Sequence, residues 1–333
     1  MRRHRAFTLI EILIVLGIMA SLMAIFLPVL QKARRKAVVL ACPIAYKAAV
    51  VDHGVYLTDP AGKAQLELYR LADGEDPRID LLQWSPSGAR LAAGRSWPIG
   101  GKSAYAVVVM DPWSGSVKTL VTAGPFMGWI DNDHIALGNY PTGSGGSGIG
   151  VQNVDIAELR QSISTREIGY SLSEIAPAPA CTGAYFVAKA SRGAHDYVLL
   201  LRKDLTPCRT IWECDTDADP DVYLYLQGPR VDPTGEWVAW TQNTSGKNAT
   251  FHCRIMIKPL SDHASAAPHI LRVDPRCPDP HFCDWTSDGK LLATNSGHQL
   301  SGLIIINRSG QLVNWVARTP HGTHVPWRHY LHR

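Results

Sequence analysis

Short turn motifs recur along most of this chain at intervals of about fifty residues, and no other feature restricts its fold as strongly. Trp84-Ser-Pro-Ser-Gly88, Trp129-Ile-Asp-Asn-Asp133, Val231-Asp-Pro-Thr-Gly235 and Trp285-Thr-Ser-Asp-Gly289 each lead into a short apolar segment, at 89–94, 134–138, 236–240 and 290–294. A degenerate copy, Ala180-Cys-Thr-Gly183, leads into 184–188. Anchored at positions 84, 129, 179, 231 and 285, the units are 45, 50, 52 and 54 residues long. That length holds one four-stranded sheet, the period of a β-propeller blade.

The second half of each unit repeats as well. Apolar strands at 55–58, 105–110, 148–154, 197–201, 254–257 and 303–306 run into polar turns such as Asp59-Pro-Ala-Gly62, Asp111-Pro-Trp-Ser-Gly115 and Asn307-Arg-Ser-Gly310. Pro, Gly, Asp and Asn adopt turn conformations at low cost. Return strands are read at 64–71, 117–121, 210–212, 270–273 and 312–316. Six hairpins with five anchors predict an all-β, six-bladed propeller over residues 45–333. An open ring would leave unpaired strand edges, so one end of the chain must close it; 325–330 and 46–51 are the candidates. The Trp-Ser-Pro-Ser-Gly type of turn resembles the TolB/WD40-like (PD40) repeat family. Gly143-Ser-Gly-Gly-Ser-Gly148 reads as a flexible loop tip within one blade.

Ahead of the repeats lies an apolar run from Phe7 to Leu30 with one charge, Glu11. As a helix, its 24 residues span ~36 Å, enough for a bilayer core and too long for a removable secretory signal. Val39-Leu40-Ala41-Cys42 has the look of a lipoprotein box but follows the charged patch rather than the apolar core. Arg2, Arg3 and Arg5 precede the run and Lys32, Arg34, Arg35 and Lys36 follow it, so charge counting does not set an outward orientation for the body. A carboxylate in hydrocarbon costs a few kcal/mol and calls for a partner. Without processing, Glu11 would have to reach back to the headgroups.

Arg5-Ala6-Phe7-Thr8-Leu9-Ile10-Glu11-Ile12-Leu13 resembles the class III signal of type IV pilins and pseudopilins, the prepilin-type N-terminal cleavage/methylation domain. The resemblance covers roughly residues 1–45, including Pro28, where many such helices kink. It implies a leader at 1–6, cleavage between Ala6 and Phe7, methylation of the new Phe7 terminus, and a membrane-spanning, pilin-like helix over 7–44. Ala6 stands where the family usually has Gly. The new amine, cationic near neutral pH, is the partner that Glu11 lacks. In this reading Glu11 and Pro28 serve assembly, and the partners are a prepilin peptidase, other pilins or pseudopilins, and the lipid bilayer.

Several side-chain groups bear on whether the chain does chemistry. His321, His324, His329 and His332 crowd the last thirteen residues, but on a strand His324 and His332 share one face and His329 takes the other, so they are metal candidates only and no metal is expected. Asp52-His53 and His195-Asp196 each suggest half of a triad, yet no Gly-x-Ser-x-Gly elbow accompanies them; a hydrolase would draw on His53, His195 or His324. Asp215, Asp217, Asp219 and Asp221 read as a solvated acidic loop, lacking the glycine and final Glu of an EF-hand. Of seven cysteines, Cys208/Cys214 and Cys277/Cys283 are each six apart, a spacing read as loop disulfides. Trp84, Trp129 and Trp285 fall at equivalent blade positions and read as fillers between sheets, while Trp97, Trp113 and Trp315 leave room for a glycan or peptide platform.

The net charge is +4, and seven of the basic residues flank the apolar run. The body is therefore near neutral, without the basic footprint of a nucleic-acid binder. The expectation is a non-enzymatic, cofactor-free, single-pass protein of the inner membrane. Its N-terminus is cytoplasmic and its propeller is periplasmic or extracellular, where it binds a protein or glycan. It would be a minor or tip component of a type IV pilus or type II secretion pseudopilus. Alternatives are a solitary tethered sensing propeller and a propeller hydrolase.

Overall fold

The computed structural model describes residues 13, 15–24 and 26 near the amino terminus, then, with gaps at loops, residues 47–318, and finally 330–332. The amino-terminal residues are helical, and their apolar side chains, from Leu13 to Phe26, are all about half exposed or more. Among the described residues no helix is long and apolar enough to cross a membrane. Ala6, Phe7, Glu11 and Pro28 lie outside the described residues.

The rest is all β. Strands β1 (Lys47–Val51), β2 (Gly54–Thr58) and β3 (Gln65–Arg70) form an antiparallel run. Next come β4 (Arg78–Trp84), β5 (Leu91–Ile99), β6 (Lys102–Asp111) and β7 (Ser116–Thr122). The following sheet holds β8 (Phe126–Trp129), β9 (His134–Pro141), β10 (Ser147–Asn153) and β11 (Leu159–Ser164). After it come β12 (Ser171–Pro177), β13 (Phe186–Arg192), β14 (His195–Leu201) and β15 (Pro207–Asp215). Then follow β16 (Val222–Val231), β17 (Trp237–Gly246), β18 (Phe251–Pro259) and β19 (His269–Ile270). The last consecutive group is β20 (Pro280–Trp285), β21 (Leu291–Gly297), β22 (Leu300–Ile306) and β23 (Leu312–Arg318). The chain ends in β24 (Tyr330–His332).

Five sheets are thus built from four consecutive strands each, and a composite sheet has the order β24-β1-β2-β3. The first strands contact one another in the cyclic order β4, β8, β12, β16, β20, β24 and back to β4. This is a closed all-β propeller with those strands lining its axis. Strand β1, within the 46–51 candidate, closes the ring on β24 through Lys47↔His332, Ala48↔Leu331 and Ala49↔Tyr330; of the 325–330 candidate only Tyr330 belongs to that ladder, and 325–329 lie outside the described residues.

Burial explains the strand sequences. The middle strands are covered on both faces, so β6 and β14 read as continuous apolar runs such as Ala106–Met110 and Tyr197–Leu201. The outer strand β7 buries only Leu120 and Thr122. The cores lie between sheets. One packs Leu81, Val107 and Leu120 against Phe126, Trp129 and Leu137; another packs Ala239, Ile255 and Ile257 against Phe282, Trp285 and Ile304. A fully buried Leu or Ile contributes about 1.5–3 kcal/mol.

Three of the anchor turns share one geometry, while at 129–133 the amides of Ile130 and Asp131 donate to the His134 carbonyl. The amides of Gly88, Gly235 and Gly289 donate to the carbonyls of Ser85, Asp232 and Thr286, three residues back. Their φ values of 66°, 74° and 73° lie in the left-handed region open to glycine. The copy at 180–183 falls outside the described residues.

Candidate functional site

The inner strands carry the polar groups nearest the axis. All five that belong to consecutive sheets have a register shift against their neighbour, at Ile79/Leu81, Phe126/Gly128, Leu172/Glu174, Gln227/Arg230 and Phe282/Asp284. Such bulges bend a strand and re-aim side chains. Gln83 of β4 donates through Nε2 to the Ile175 carbonyl of β12 at 3.1 Å and accepts the Trp129 amide of β8 at 2.9 Å. Glu174 of β12 pairs with Arg230 of β16 at 2.8 Å and accepts the Gly228 amide at 3.0 Å. Gln83 and Arg230 are buried and Glu174 is half-buried, and together these contacts stitch neighbouring blades.

The anchor tryptophans do the same. Trp129 Nε1 donates to the Gln83 carbonyl at 2.9 Å, and Trp285 Nε1 donates to the Arg230 carbonyl at 3.0 Å. In both, the indole reaches the residue just before the preceding anchor position. Trp84, Trp129 and Trp285 are buried, as filler between sheets requires. Trp97 is half-buried and Trp113 is exposed.

The histidine candidates do not converge. His321, His324 and His329 lie outside the described residues, and His332 stands on β24 opposite Lys47. Among the described residues no group of three or more His, Cys, Asp or Glu side chains could hold a metal ion. Asp52 and His53 are also outside. His195 and Asp196 part company on β14: His195 Nδ1 sits 3.2 Å from Glu213, whereas buried Asp196 accepts the Leu226 amide at 3.3 Å and lies 3.5 Å from Lys189. Alternation along a strand sends adjacent side chains to opposite faces, so these two form no dyad. Of the acidic loop, Asp215 ends β15 and Asp217, Asp219 and Asp221 are outside the described residues.

The expected Cys208–Cys214 bridge is corrected. Both thiols are free and both lie on β15, an extended strand on which six residues span ~20 Å, far beyond the ~7 Å Cα limit for a disulfide. Cys208 Sγ donates to the Leu200 carbonyl at 3.3 Å. Burial, with Asp196 and Asp215 nearby, pushes the Cys214 thiol up to about 11. Cys277 lies outside the described residues and Cys283 stands on β20, inside the register shift.

One constellation escaped the sequence. Cys253 of β18 approaches His281 of β20 with Sγ 2.9 Å from Nε2. Directly across the ladder from Cys253 is Asn243 of β17. Asn243 is fully buried, and neither its side-chain nitrogen nor its oxygen has a hydrogen-bond partner. Alternate residues Ala239, Thr241 and Asn243 on β17, and Ile257, Ile255 and Cys253 on β18, share the face that meets the β20–β23 sheet. Ala239, Ile255 and Ile257 pack there against Phe282, and Thr241 Oγ1 accepts the Phe282 amide at 2.8 Å. Residues 243, 253 and 281 are linked by no recognisable spacing; only the register of β17 on β18 and the apposition of two blades bring them together.

The comparisons with known proteins bear on the two ends of the molecule differently. The family model described as the prokaryotic N-terminal methylation motif matches the start of the chain. Residues 1–27 carry a prepilin-type motif. Membrane anchoring of the pilin kind follows from it. No curated protein matches this chain. Among solved structures, a periplasmic gluconolactonase from Pseudomonas aeruginosa is 14% identical with a TM-score of 0.49, covering 84% of this chain and 97% of that one. A puromycin hydrolase is 10% identical with a TM-score of 0.48, over 83% of this chain and 46% of its own. An oligogalacturonate lyase in complex with manganese is 12% identical with a TM-score of 0.44, over 79% and 75%. At these identities the likeness is one of fold. It nevertheless corrects the expectation of a non-enzymatic body, because the similar propellers are enzymes and the fold gives no ground for ruling out chemistry.

Proposed function

We propose that this chain is a pilin-like protein of the inner membrane whose amino-terminal helix is handled by a prepilin peptidase and whose propeller is carried to the periplasm or the cell exterior. The observation that supports this most is the methylation motif over residues 1–27 at the head of a chain whose body is a propeller. Cleavage after Ala6 gives Phe7 a cationic terminus that neutralises Glu11, in the same helix or between neighbouring helices of a filament. The body is read as six-bladed, counting the composite sheet of β1–β3 and β24; the cyclic contacts of the inner strands support that count. So large a head hinders close packing as a major subunit, which favours a minor or tip position in a type IV pilus or a type II secretion pseudopilus. There the propeller would meet a protein or glycan partner.

Mass spectrometry of the mature amino terminus tests the reading. An N-methylated Phe7 is expected, and an intact Met1 overturns it. Replacing Glu11→Val is expected to spare cleavage while lowering incorporation into filaments at least tenfold, measured by immunoblot of sheared fractions. Unchanged incorporation would favour the second reading, a solitary tethered propeller that binds or senses a ligand at the membrane.

A further inference from the structure

Thiols are weak nucleophiles until a neighbouring base takes the proton, and imidazole within hydrogen-bond reach is the usual base. Cys253 and His281 have that relation at 2.9 Å, across the seam between two blades. Cys253 is 5% exposed, and His281 is half-buried. Beside them, Asn243 holds a buried amide with two N–H donors and one carbonyl acceptor, none engaged. A buried polar group without partners costs about 1–3 kcal/mol and marks a place where a polar ligand group belongs. The other two cysteines whose side chains are described differ. Cys208 spends its proton on a backbone carbonyl, and Cys214 is buried beside carboxylates.

We propose that Cys253 and His281 form an activated thiol that accepts acyl groups from small esters, with the Asn243 amide meeting the acyl oxygen. In the transfer, Cys253 Sγ bonds to the acyl carbon and the bond from that carbon to the leaving alcohol oxygen breaks. The thiol proton passes to His281 Nε2 and then to the departing alkoxide. The amide N–H groups of Asn243 stabilise the negative charge that develops on the acyl oxygen, as an oxyanion-hole donor does. Flanking titratable positions on these strands are His252 and Arg254 on β18, and Cys283 and Asp284 on β20. The burial of Cys253 restricts the acyl donor to small molecules. The proposal is independent of how the chain is exported.

Alkylation of the full chain in detergent by iodoacetamide, read cysteine by cysteine by mass spectrometry, tests the activation. A thiol of ordinary pKa slows roughly a hundredfold between pH 8.5 and 6. Cys253 is expected to slow less than about tenfold, and His281→Asn to restore the steep profile. Cys208 and Cys214 serve as internal references. A steep profile at Cys253 in the unaltered protein, or no labelling there, overturns the proposal without recourse to a variant. With p-nitrophenyl acetate, acetyl is expected on Cys253, and Asn243→Ala is expected to slow acetylation about tenfold while leaving alkylation unchanged. Acetyl found elsewhere, or an Asn243→Ala variant that acetylates at the original rate, overturns the assignment of an acyl acceptor.

Discussion

Single residues hold the blades in register, and Gln83 is the clearest. Its amide satisfies a carbonyl on β12 and an amide on β8 at once, inside the protein. Gln83→Ala leaves both unsatisfied, and unfolding in urea is expected to show a loss of about 2–5 kcal/mol. Gly128 stands at the same junction with φ of 149°, and a Cβ there would sit 2.0 Å from the Ile175 carbonyl oxygen. The nearest neighbour is backbone rather than the end of a flexible side chain, so Gly128→Ala is expected to lower the thermal midpoint by several degrees or prevent folding. Cys214 carries a pH signature. Its folded thiol keeps its proton to about 11, while an ordinary one loses it near 9, so the folded state binds more protons in between. Stability therefore falls as pH rises from about 9 to 11, by about 2–3 kcal/mol. The difference between the original protein and Cys214→Ala, measured across that window, isolates the effect. The anchor tryptophans were legible in the sequence because the repeat displays them. Gln83, Asn243, Cys253 and His281 were not, because their partners are set by the stacking of blades, which no local spacing encodes.

At the scale of strands, the second and third strands of each blade were the most legible. Both faces of those strands are buried, so their apolar runs stand out beside Gly- and Asp-rich turns. The return strands were located with looser ends: 270–273 was expected where β19 covers His269–Ile270. An outer strand faces solvent and keeps little pattern. The inner strands were hardest, since each carries a bulge that breaks the alternation of period two. The misplaced disulfide has the same origin. A six-residue spacing was read as a loop, and β15 is extended through it. The closing ladder is short, and Leu331→Pro would place a residue without a backbone N–H and with a fixed φ opposite Ala48. Such a variant is expected to lower the unfolding midpoint and expose a strand edge, giving concentration-dependent aggregation in light scattering.

For the molecule as a whole, the ring and its tether could both be anticipated, since one is written as a period and the other as an apolar run with a single acid. Which terminus would shut the ring was open, because β24 is three residues long and lacks a pattern of its own. Its position has a mechanical meaning. The tether enters the body at Lys47, the first residue of β1, and β1 is flanked by β2 on one side and by β24 on the other. Any pull transmitted through the amino-terminal segment is delivered to the seam where the ring is latched, at a strand gripped along both edges. A tensile load must therefore shear two ladders together before the first blade can peel away.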